Sequence, residues 1–160
     1  MAPLTSRHSY YNGRVQEATG SMFHSIDPST ARPIAEIYSA SHANVDAAIE
    51  SAEGAFEQWS KRTSAIARAR ILLKAVMLLR ERNDEIARTE TQDTGKPFSE
   101  TSTVDVVTGA DVLEYFANLV GGGGLSGETI QLREDAWVYT KKEALGVCAG
   151  IGAWNYPIQM

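Results

Sequence analysis

At 160 residues with 43% apolar side chains, the chain is long enough for one domain with a sizeable core. Its 15 basic and 20 acidic residues leave a net charge of −5, which argues against nucleic acid or an anionic membrane as partner, since both need a basic face. The single cysteine, Cys148, excludes an internal disulfide framework, and no apolar run approaches the ~20 residues of a membrane span.

The first residues carry no apolar stretch of the kind a secretory signal needs, and the reduced cysteine fits a cytoplasmic protein. Tyr10-Tyr11 leads into Asn12-Gly13, the dipeptide of a tight type I′ hairpin, with Arg14-Val15-Gln16 as the returning strand. Residues 22–26 and 34–38 flank Asp27-Pro28-Ser29-Thr30, a second turn with proline at its second position.

Three helices are expected next. The first starts after Ser41 as N-cap and aligns Val45, Ala48, Ile49, Ala52, Phe56 and Trp59 in one apolar stripe. The second begins near Thr63, turns Ile66, Ala69, Leu73, Val76 and Met77 inward, and ends at Asp93-Thr94-Gly95-Lys96-Pro97. There Gly95 can take the left-handed conformation and Pro97 stops continuation. The third starts between Ser99 and Ser102, carries Val106, Ala110, Leu113, Ala117 and Val120 on one face, and stops at four glycines, 121–124. Strands over 129–132 and 136–141 follow. The final run, Val147-Cys148-Ala149-Gly150-Ile151, reads as a strand buried on both faces, breaking into a turn at Trp154-Asn155-Tyr156-Pro157.

Most motifs exclude more than they assign. Gly150-x-Gly152-x-x-Asn155 lacks the third glycine of the dinucleotide fingerprint, and no Lys-Ser or Lys-Thr follows the four glycines, so they form no P-loop. His8, His24 and His42 have no zinc-ligand spacing. Cys148 sits within the expected buried strand, where a thiol behaves as a small hydrophobe. Asn155 at the exit of that strand has two readings: an amide N–H aimed at an oxygen gaining charge, or an ordinary turn-former before proline.

The run GVCAGIGAWNYPIQ, with Asp93-Thr94-Gly95-Lys96 and SETSTVDVVTGADVLEY over residues 99–115, resembles the NAD-dependent aldehyde dehydrogenases, most of all the betaine aldehyde subgroup. The resemblance implies an incomplete α/β fold. Residues 1–40 would form a β-hairpin arm, 41–124 the helical layer of the cofactor domain, 125–145 the bridging and oligomerisation strands, and 146–160 the first Rossmann-like strand with its turn. It implies Asn155 as the oxyanion-stabilising amide and Ile151, Gly152, Ala153 and Trp154 as lining of the NAD cleft, with NADP left open. Tyr156 would face a quaternary ammonium substrate, and Ser25, Ile26 and Asp93 would hold a monovalent cation, K+. The implied partners are an aldehyde and further copies of the chain in a dimer or tetramer. In the family the nucleophilic cysteine and general-base glutamate come later than residue 160, so this polypeptide alone is expected to be inactive. The other reading is a non-catalytic module that binds or modulates a full-length relative.

Overall fold

A computed structural model describes residues 4–17 and 19–160. Among the described residues, seven strands make three small sheets. Strand β1 (Thr5–Arg7) lies parallel to β5 (Arg32–Tyr38), whose other edge pairs antiparallel with β4 (Met22–Asp27). The parallel partner β1 was not foreseen, because three residues are too few to show a periodicity. Strands β2 (Ser9–Tyr11) and β3 (Arg14–Gln16) form the expected hairpin, with Asn12 and Gly13 at φ 53° and 72° as a type I′ turn requires. Between β4 and β5, Asp27 Oδ1 accepts from the Ser29 amide (2.7 Å) and hydroxyl (2.6 Å). That side-chain turn draws the Asp27 carboxyl below its usual range.

Helix α1 (His42–Glu57) begins where Ser41 places it. The Ser41 hydroxyl accepts from the Asn44 amide, while the buried Asn44 side chain accepts from the Ser41 N–H at 3.0 Å, a reciprocal cap. A wide turn of π-helix, Gln58–Arg62, closes the helix. The apolar stripe is not covered as its spacing suggests: Val45, Ile49 and Trp59 are all exposed.

The expected second helix is two helices, α2 (Ala65–Glu81) and α3 (Asn83–Thr94), broken at Arg82, which sits at φ −100°, ψ 17°. The polar run after Glu81 supplies no apolar residue to continue the stripe. Asp84 and Glu85 instead stabilise a new N-terminus through its partial positive charge, and Arg82 pairs with Glu85 at 2.6 Å. Ala69 and Val76 are buried as expected, whereas Ile66 and Met77 are exposed. Gly95 ends α3 at φ 79°. A β-carbon there would meet Pro28 Cγ at 2.6 Å, so a side chain is excluded by both conformation and contact.

The third expected helix starts at Phe98 as α4 (Phe98–Glu100), widens through a π-turn, Thr101–Asp105, and continues as α5 (Val106–Gly121). Its inward residues Val106, Ala110 and Ala117 are buried against α2, with Ala87 of α3 beside them. The small residues let the helix axes approach closely and leave little void. Strands β6 (Thr129–Arg133) and β7 (Ala136–Tyr139) then form an exposed two-stranded ribbon.

Residues 147–151 correct the reading of a doubly buried strand. Among the described residues no strand pairs with them, and Leu145, Ile151 and Trp154 are 95%, 100% and 88% exposed. A strand exists through its ladder; here Val147 lies in a bend, residues 148–151 have no regular structure, and the segment is open to solvent. Cys148 is accordingly exposed. No helix among the described residues is long and apolar enough to cross a membrane.

Candidate functional site

The end of α3, the π-turn before α5 and the last turn of the chain meet around a buried polar cluster. Helix α3 carries Ile86 and Ala87 on its inward face, and one turn further the same face presents Glu90, which is 5% exposed. The π-turn brings Thr101 and Asp105, both fully buried, against it. The Thr101 hydroxyl is satisfied at 2.8 Å from that of Thr91 and 3.1 Å from the Ala87 carbonyl. Asp105 Oδ2 accepts from Lys96 Nζ at 2.6 Å. Glu90 Oε1 and Asp105 Oδ1 have no donor while both groups are ionised. Burial, then the hydrogen bond and charge of Asp105, push the Glu90 carboxyl up to about 7, opposed by Lys96 and assisted by Asp93. A proton retained on Glu90 would give the buried pair a donor that two ionised carboxylates lack.

Lys96 is where the charges balance. Burial pulls its ammonium down, but the hydrogen bond and charge of Asp105, helped by Tyr156 and Glu100, outweigh that and raise it. Its Nζ also lies 3.3 Å from the centre of the Tyr156 ring. A cation partly shielded from water over an aromatic face contributes ~1–2 kcal/mol. Removing one partner of so buried an ion pair costs about 3–5 kcal/mol.

The closing turn is thereby fastened at three points. Lys96 holds Tyr156, the Gln159 amide donates to the Thr108 hydroxyl, and the Ile158 carbonyl seats against Gly109, where a β-carbon would come within 2.8 Å. Tyr156 is half-buried, while Trp154 and Asn155 remain exposed. Pro157 and Ile158 line an open cleft of about 630 Å³ together with Ser25, Glu90 and Asp93. Across it the Ser25 hydroxyl donates to Asp93 Oδ1 at 2.6 Å. The β4–β5 register slips between Ser25 and Ile26, and Ile26 faces Pro33, which has no N–H to give.

The structure thus brings Ser25 and Asp93 together, while Tyr156 packs on Lys96 just past the end of α3. Ile151, Gly152 and Ala153 stay in the exposed segment, with Gly152 near Met160. Residues 15–160 match the model of the aldehyde dehydrogenase family. The chain belongs to that family. Among solved aldehyde dehydrogenases, an indole-3-acetaldehyde dehydrogenase of P. syringae, determined with NAD+ and IAA, superposes with a TM-score of 0.89 at 30% identity, covering 99% of this chain and 32% of that one. PnpE of Pseudomonas sp. WBC-3 gives 0.88 at 29%, over 97% and 31%. A gamma-glutamyl-gamma-aminobutyraldehyde dehydrogenase of Burkholderia cenocepacia J2315 gives 0.74 at 31%, over 79% and 26%. The chain therefore has the α/β aldehyde dehydrogenase fold in part, spanning 26% to 32% of the length of these structures.

Sequence reasoning missed Glu90, Lys96, Thr101 and Asp105 as a unit. The available signal was polar residues at core spacing: Glu90 three after Ala87, and Asp105 four after Thr101 and four before Gly109.

Proposed function

We propose that the chain forms the front part of an NAD-dependent aldehyde dehydrogenase in which Asn155 stabilises the oxyanion. What supports this most is the closing turn, fastened to the helix layer at Tyr156 and Gln159 while leaving the preceding amide exposed. An amide N–H held there would donate to the aldehyde oxygen as negative charge develops on it, and such a donor typically contributes 10²–10³-fold in rate. The nucleophile would come from outside these 160 residues. NAD suits the exposed Ile151, Gly152, Ala153 and Trp154, whose backbone and apolar side chains no other element covers. When bound, it would supply the hydride acceptor. PnpE and the P. syringae enzyme have both been solved with this nucleotide.

The finer reading is a quaternary ammonium aldehyde such as betaine aldehyde. Tyr156 already accepts one cation, Lys96, on one face, so a substrate cation would use the other. Ser25, Ile26 and Asp93 fit a monovalent cation: the Ser25 proton is committed to Asp93, which leaves the hydroxyl lone pairs, the carboxylate and the neighbouring Ile26 carbonyl as hard oxygen ligands.

The test is a hybrid in which residues 15–160 replace the matching segment of the P. syringae indole-3-acetaldehyde dehydrogenase. It should reduce NAD with an aldehyde, and Asn155→Ala should lower kcat roughly 10²–10³-fold. An Asn155→Ala hybrid as fast as its parent contradicts the assignment. A hybrid that folds and binds NAD but turns nothing over favours the non-catalytic module.

A further inference from the structure

We propose that Lys96 is a positioning residue, clamped from below by buried Asp105 and pressing from above on the Tyr156 ring, so that it sets where the adjoining Asn155 presents its amide. Only the last clause rests on the functional reading of Asn155; the clamp itself stands on geometry. Three elements converge on one ammonium: the π-turn through Asp105 at 2.6 Å, α4 through Glu100 at 4.0 Å, and the closing turn through the ring at 3.3 Å. The lysine itself sits between Gly95, whose left-handed conformation ends α3, and Pro97, which caps the start of α4. Its root is therefore fixed as firmly as its tip.

Asp105 has no solvent to turn toward, because it is fully buried on the π-turn and its Oδ2 accepts from Lys96 at 2.6 Å. Other charged groups nearby are otherwise engaged. Arg82 is paired with Glu85, Arg88 lies 4.5 Å over the Phe98 ring, and Asp93 accepts from Ser25. Lys96 thus transmits the position of the rigid helix layer to Tyr156, one residue from Asn155. Loss of the ammonium would free the ring while leaving the Gln159–Thr108 contact to hold the tail loosely.

The clamp can be read directly by carbon–proton NMR of the full chain. Protons above an aromatic ring are shielded, so the Lys96 ε-methylene should resonate upfield of the other four lysines. Tyr156→Leu should return it to their position. Asp105→Asn should do so in part, and Glu90→Gln, which keeps a donor toward Asp105, should leave it displaced. The functional arm uses the hybrid enzyme. Lys96→Met should lower kcat about 10- to 100-fold with KM little altered, as expected for a misplaced catalytic group, and Lys96→Arg should recover most of the loss. A Lys96 ε-methylene coincident with the other lysines overturns the clamp. A displaced signal with full activity in Lys96→Met, where Asn155→Ala is impaired, overturns the positioning role. Full activity in both variants overturns the reading of Asn155 and leaves the clamp standing.

Discussion

The helix layer and the segment from residue 141 to 155 are both rich in apolar residues but have opposite fates. In the layer, Ala69, Val76, Ala87, Val106, Ala110 and Ala117 close on one another, and the buried Thr101 hydroxyl and Asp105 Oδ2 among them find hydrogen-bond partners. In the later segment Leu145, Ile151 and Trp154 face solvent and no strand lies beside the backbone. Helices satisfy their own backbones and need only side-chain partners, whereas an extended segment needs a neighbour for every second amide. Hydrophobicity alone therefore does not decide burial; the source of the hydrogen bonds does.

The contrast is broken most severely by placing a charge in each region. Ala110→Asp buries an unpaired carboxylate between α5 and α2 and should cost about 4 kcal/mol or more, enough to abolish a cooperative thermal transition followed by circular dichroism. The next largest effect is that of pH on the layer. The folded protein holds the Glu90 proton to about 7, against an ordinary value of 4.5. Because the folded state then binds more protons than the unfolded chain, this contribution is fully present below 4.5 and is lost as pH rises through about 7. It amounts to roughly 3 kcal/mol, and Glu90→Gln should flatten the dependence in urea titrations across that interval. Ser41→Ala removes a reciprocal cap and should lower stability by about 1 kcal/mol, read in the same titration. The smallest change belongs to the open segment. Ile151→Asp, at a fully exposed site, should alter stability by less than about 0.5 kcal/mol, and a larger loss would mean that the segment is covered.

What could be read beforehand follows the same division. Local chemistry was legible: Asn12-Gly13 named its hairpin, Ser41 its cap and Gly95 its helix end, because each acts within a few residues. The α5 face was legible because its partner helix lies in the same chain. The break at Arg82 was hidden by a period that α2 and α3 nearly share. The exposure of Val45, Ile49 and Ile151 was hidden because periodicity reports which face is apolar and not what covers it. At the site, the motif residues Ser25, Asp93 and Tyr156 were named individually. The Glu90–Asp105–Lys96 cluster that joins Tyr156 to the helix layer was not, since buried charge is invisible until its partners are placed.

Amide hydrogen exchange, compared between the chain alone and the hybrid enzyme, tests most directly whether residues 147–151 are a cofactor-domain strand whose neighbours lie elsewhere. Residues 147–151 should exchange freely in the chain and become protected by orders of magnitude in the hybrid, with α5 slow in both. Protection of those five amides in the chain alone, or free exchange in a folded hybrid, would contradict it.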